Sequence, residues 1–221
     1  MENNLSETAF FVPTEQGYHI RWFTPTTEVK LCGHATLASA YVIFNELAYA
    51  HERIVFDSLS GPLTVTKRDA LFELDFPAQP PLPCETPGAI VTAFQQTPIE
   101  TLKNEDYIVV FEHADAVLNA KPDIVALKEL DLRGVAITAP GIQGADFICR
   151  FFAPNYGIDE DPVTGSAYTQ LAPYWAERLG KKQMHAKQVS RRGGDVFCCV
   201  AGDRVEISGG AVKYMEGLSY T

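Results

Sequence analysis

Ala35-Thr36-Leu37-Ala38-Ser39-Ala40-Tyr41-Val42-Ile43-Phe44 carries no charge and no polar stripe, only the small hydroxyls of Thr36 and Ser39. A helix that is apolar on every side is expected to be buried on every side. Around it lie short runs rich in Val, Ile, Phe and Tyr, bounded by Gly, Pro, Asp or Asn. These predict strands over 8–12, 18–23, 53–57, 62–66, 70–76, 107–111, 134–139, 146–152, 196–201, 204–207 and 211–215. Short turns between many of them favour antiparallel pairing. Helices are predicted over 35–47, 88–96, 123–130 and 167–179, the last interrupted by Pro173, which should kink it or start a new segment. The economical architecture is α+β: curved, mostly antiparallel strands wrapped around one central helix.

The motif that opens this helix recurs. Arg21-Trp22-Phe23-Thr24-Pro25, then Glu28, then Cys32-Gly33-His34-Ala35 is matched by Arg150-Phe151-Phe152-Ala153-Pro154, then Asp161, then Thr164-Gly165-Ser166-Ala167. Each set reads Arg-aromatic-Phe-small-Pro, an acid, and Gly-polar-Ala leading into an apolar helix. The repeat predicts two pseudo-symmetric domains with a cleft between them. The segment 78–87 holds four prolines and reads as the linker and hinge. The expected domains are therefore 1–80 and 81–221, with a last strand that returns to the first domain.

With 18 basic and 28 acidic side chains the net charge is −10, which disfavours non-specific binding to nucleic acid. No apolar run is long enough for a membrane helix, and the polar start Met1-Glu2-Asn3-Asn4 does not read as a signal peptide. The five cysteines (Cys32, Cys84, Cys149, Cys198 and Cys199) are odd in number and lack CxxC or zinc-type spacing. A reducing, cytoplasmic setting is expected. Nucleotide-binding glycine motifs, HExxH and GxSxG are missing, so neither cofactor nor metal is expected.

Two helix starts facing one cleft would bind an anion through free N–H groups and the positive dipole end. Gly33 and Gly165 would let a ligand approach the backbone, with Ala35 and Ala167 closing each motif. His34 and Ser166 stand at equivalent places beside those glycines. Acid–base candidates are Glu7, Glu28, Glu160, Asp161 and His34; each also has a plain structural reading as a loop charge, a turn residue or a core histidine, and the residues alone leave these open. Cys32 and Thr164 form a further equivalent pair. Arg191-Arg192-Gly193-Gly194 reads as a basic hairpin turn.

These motifs resemble the phenazine-biosynthesis PhzF-like family. The resemblance is carried by 4–10 (Asn-Leu-Ser-Glu-Thr-Ala-Phe), 21–25, 28–36, 56–61, 75–77, Asp161-Pro162-Val163-Thr164-Gly165-Ser166-Ala167 and 188–194. It implies a diaminopimelate-epimerase-like fold, with two pseudo-symmetric domains each wrapping strands around a helix. It also implies a cofactor-independent isomerase in which the glutamate of the Ser-Glu-Thr motif, here Glu7, shuttles a proton on a small carboxylate-bearing metabolite. His34, Asp161 and Ser166 match family residues that contact substrate or assist that transfer.

Family members usually begin a few dozen residues earlier, with a strand and a Gly-Asn-Pro motif. On that basis the chain is expected to self-associate, as a homodimer, or to be less stable than longer relatives. Two rival readings follow. One is a relative of proline racemase and hydroxyproline dehydratase using Cys32 and Thr164. The other is an inactive protein that keeps the cleft for binding alone.

Overall fold

The computed structural model describes residues 7–218. The chain divides into two compact units, one formed by Met1–Asp75 with Ser208–Thr221 and the other by Phe76–Ile207. Asn4, Leu5 and Ser6 of the Ser-Glu-Thr motif lie outside the described residues.

In the first unit, β1 (Thr8–Pro13) and β2 (Tyr18–Phe23) form an antiparallel hairpin, and β3 (Glu28–Val29) pairs with β2. Helix α1 (Gly33–Tyr41) follows and runs into a wider, π-type turn over Val42–Glu46. The chain returns as β4 (Arg53–Asp57), parallel to β2, then β5 (Leu63–Arg68) and β6 (Leu71–Pro77) as an antiparallel meander. Strand order is β1-β2-β4-β5-β6. Alternation along the strands puts Ile20, Trp22, Ile54, Phe56, Val65, Phe72 and Leu74 in the core with Ala40, Ile43 and Phe44. The rings of Phe44 and Phe72 stack with centroids 5.8 Å apart.

The expectation of complete burial does not hold for α1. Gly33, Ala35, Thr36, Ser39 and Ala40 are buried, but Ala38 is exposed and Leu37 and Tyr41 are half-buried. The sheet covers one side, and small apolar residues need no cover on the other. The two hydroxyls inside the helix are satisfied locally: Thr36 Oγ1 donates to the Cys32 carbonyl at 2.6 Å and Ser39 Oγ to the Ala35 carbonyl at 2.8 Å.

The second unit opens with β7 (Leu82–Pro83), α2 (Gly88–Phe94), β8 (Glu100–Lys103), β9 (Tyr107–Val110), α3 (Ala114–Leu118) and α4 (Ile124–Leu127). It continues through β10 (Val135–Pro140), β11 (Phe147–Ala153), β12 (Ile158–Asp161), α5 (Tyr168–Leu179), β13 (Gln183–Gln188), β14 (Gly194–Ala201) and β15 (Arg204–Gly209). Strand order is β15-β14-β13-β11-β10-β9-β8-β7, with β12 on β11. Helix α5 lies on one face: Phe147 stacks on Trp175 at 5.5 Å, and Trp175 Nε1 donates to Thr138 Oγ1 at 3.0 Å. The alternate residues Ile148 and Phe152 face the other way, into a core with Ile90, Phe94 and Leu127 from α2 and α4. The sheet of this unit is thus covered on both faces, a layer more than expected.

Pro173 does not break α5. The N–H it lacks would have served the Thr169 carbonyl, which instead accepts the backbone N–H of Gln79 at 2.9 Å. The proline-rich segment is also more ordered than a linker. Leu82 and Pro83 pair with β8 at the end of the sheet, the place where a strand tolerates a residue with no N–H. The predicted strand over 211–215 has no regular secondary structure.

Candidate active site

The repeated Arg-aromatic-Phe motif builds the same local device in both units. Arg21 grips Glu28 with two hydrogen bonds, Nε to Oε1 and Nη2 to Oε2, both 2.8 Å. Arg150 grips Glu160 in the same way at 2.6 and 3.0 Å. Each guanidinium also lies over the phenylalanine two residues on, Phe23 at 5.0 Å and Phe152 at 5.2 Å. This corrects the alignment of the repeat: Glu28 corresponds to Glu160, not to Asp161. Strand pairing agrees, because Trp22 opposes Val29 and Phe151 opposes Asp161. Glu28 and Glu160 are committed to arginine, which removes them from the acid–base candidates and leaves Asp161 on the opposite face of β12.

In the first unit, Glu7, Cys32 and His34 come together. His34 Nε2 lies 3.1 Å from Glu7 Oε2, with the Glu7 side chain 10% exposed and that of His34 34% exposed. Cys32 Sγ stands 3.8 Å from His34 Nε2 and is buried. Cys32 is the N-cap residue of α1 and Gly33 its first residue, so Cys32 and His34 stand at the positive end of the helix dipole. Gly33 and Gly165 both have ordinary negative φ, so the turn itself does not demand glycine there.

In the second unit, Thr164 Oγ1 donates to Asp161 Oδ2 at 2.5 Å. Buried Gln188 holds the same loop: its Nε2 donates to the Asp161 carbonyl at 2.8 Å, and its Oε1 accepts the Thr164 N–H at 2.8 Å. Gly165, Ser166 and Ala167 make a 3-10 turn that leads into α5. Ser166 Oγ accepts from Arg133 Nη1 at 2.9 Å, and Arg133 is clamped by Asp106, which is fully buried. Gln170 Nε2 donates to Asp106 as well, at 2.6 Å.

Arg133, Asp106 and Gln170 carried no signal in the sequence; Gln188 stood only as the first residue of a resembling motif. Below them, burial pushes the Cys149 thiol up to about 12 and the Tyr168 hydroxyl well above its ordinary range. Arg191 and Arg192 sit on the exposed turn between β13 and β14, as expected of a hairpin. Beside it, a cavity of about 600 Å³ is lined by Lys121, Arg150, Glu160, Ser190 and Arg191 among others.

Comparison with known proteins adds the family. The phenazine biosynthesis-like protein family matches residues 1–217. The chain belongs to this family. An uncharacterized isomerase of Pseudomonas aeruginosa is 49% identical over 216 residues, covering 98% of this chain and 83% of that protein. A phenazine biosynthesis PhzF-family protein from Enterococcus faecalis superposes with a TM-score of 0.96 at 45% identity, covering all of this chain and 85% of its own. A probable proline racemase from Agrobacterium radiobacter shares the fold alone, with a TM-score of 0.63 at 11% identity over 97% of this chain and 76% of its own. The fold is the α+β, diaminopimelate-epimerase-like fold that the PhzF-like motifs implied. Among the described residues, no helix is long and apolar enough to cross a membrane.

Proposed function

We propose that this PhzF-like chain is a cofactor-independent isomerase acting on a small carboxylate-bearing metabolite, with Glu7 as the general base that returns the proton as general acid. The observation that carries the reading is the pairing of a nearly enclosed carboxylate with an imidazole at the start of α1. Glu7 would remove a proton from one carbon and deliver it to another, and His34 Nε2 would hold the carboxylate and share the proton. The N–H groups around Gly33 and Ala35 would receive the substrate carboxylate. Asp161 and Ser166 are proposed as further catalytic residues and Gly165 and Ala167 as substrate-binding ones, with Thr164 and Gln188 fixing Asp161 and Arg133 fixing Ser166. Similarity to proteins named as isomerases supports the reaction class.

The test is proton exchange in heavy water with a panel of carboxylate metabolites. A substrate should take up deuterium at carbon in the presence of the chain. Glu7→Gln keeps the size and removes the base, and should lower turnover by about 10²–10⁴-fold. Equal exchange by the variant would rule out Glu7 as the base.

A further inference from the structure

We propose that Glu7, Cys32 and His34 form a three-ligand site for Zn²⁺, which occupies the proton-transfer corner and inhibits it. Sequence spacing gave no hint of a metal site, because Glu7 precedes β1 while Cys32 and His34 lie at the start of α1. In the folded chain, one donor atom from each of the three lies within 4.8 Å of the other two.

The separations suit one ion. Zinc bonds of about 2.3 Å to sulfur and 2.0–2.2 Å to nitrogen or oxygen, at tetrahedral angles, set ligand atoms about 3.3–3.6 Å apart. The imidazole-to-carboxylate distance is 3.1 Å and the thiol-to-imidazole distance 3.8 Å. The third separation, thiol to carboxylate, is within 4.8 Å. Sulfur, nitrogen and oxygen together select a borderline-soft ion such as Zn²⁺ over Mg²⁺ or Ca²⁺. Thiolate and carboxylate neutralise its two charges, and binding releases the Cys32 thiol proton to water. Three protein ligands leave the fourth position to water, and half-buried His34 provides the side open to solvent.

Metal binding by these three residues stands whether or not Glu7 is the base. Only the inhibition rests on the proposed function, since the ion would take both Glu7 and His34.

Reduced, metal-free full-length chain is titrated with Co²⁺ as a spectroscopic stand-in. One equivalent should produce a thiolate-to-cobalt charge-transfer band with intense tetrahedral d–d absorption, and Zn²⁺ should erase both by displacement. Cys32→Ser should abolish the charge-transfer band while its far-UV circular dichroism stays that of the parent. Glu7→Gln should keep the band but weaken binding at least about tenfold. The double variant Cys84→Ser, Cys199→Ser, which removes the two half-buried thiols, should bind as the parent does. No charge-transfer band in the parent, or a band that survives Cys32→Ser, overturns the proposal. Because the readout is a spectrum, it is independent of whether a substrate for the isomerase is found.

Discussion

Arg133 donates one hydrogen bond to the Ser166 hydroxyl at 2.9 Å while two other guanidinium nitrogens hold Asp106 at 2.9 and 2.5 Å. The Ser166 oxygen is therefore an acceptor on its Arg133 side, which leaves its own proton to be donated elsewhere. The arrangement depends on Asp106, whose carboxylate is fully buried. Arg133→Met would strand that charge and should cost about 3–5 kcal/mol in urea unfolding. Adding Asp106→Asn should restore part of the loss, and a double-mutant cycle measures how much. Additive losses would show that the two residues do not act as a pair.

Gln188 is the other hidden support. Gln188→Leu preserves bulk but leaves the Thr164 N–H and the Asp161 carbonyl without the partners they have now. A loss of about 1–3 kcal/mol is expected from an unmet buried donor. Under the proposed function, turnover should fall as well. A stable variant with full turnover would remove Gln188 from the positioning of Asp161.

Asp146 supplies a pH dependence. Burial alone would push its carboxyl up, but the Lys181 ammonium at 2.6 Å and the His185 N–H at 2.8 Å outweigh this and hold it below the usual carboxylate range. A group lowered on folding contributes stability above its unfolded value, about 3.9, and that stability disappears as pH falls through the folded value. Asp146→Asn should therefore cost about 1–2 kcal/mol near pH 7. The gap between parent and variant should close on acidification below about pH 4. A gap that is constant from pH 7 to pH 3 would contradict the sign.

Thiol chemistry should separate the cysteines. Burial pushes the thiols of both Cys149 and Cys198 far up, that of Cys149 to about 12, and both side chains are sealed in the core beside α5. Native chain treated with iodoacetamide at pH 8 should leave these two unmodified by peptide mass spectrometry, and unfolded chain should lose that protection. Native labelling at either would mean that the second unit opens on the time scale of the reaction.

The repeat was legible because both copies keep Arg-aromatic-Phe and a glycine before an apolar helix. The pairing of its acids was not. The loops between arginine and acid differ in length, and in a strand a slip of one residue moves a carboxylate to the other face. Asp161 and Glu160 are neighbours in sequence and opposites in surroundings. Strand β13 carries no strand signature in the sequence, because its inward residues are Met184, Ala186 and Gln188, a proper alternation made of residues that do not favour strands. The Asp106–Arg133–Ser166–Gln170 network joins residues up to 64 positions apart, and no local pattern encodes such a meeting. The open side of α1 shows the converse: the lack of polar residues in a helix does not oblige the fold to cover it.

The first compact unit is split in sequence, whereas the second is one uninterrupted stretch, Phe76–Ile207. On a ribosome, the second unit is fully synthesised before the last piece of the first has been made. Lys213, whose ammonium meets Glu46 at 2.6 Å across 167 residues of chain, emerges only after the whole second unit. The first unit is thus completed only after the second, and the Glu7–His34 corner matures inside a unit that waits for a segment made 132 residues later.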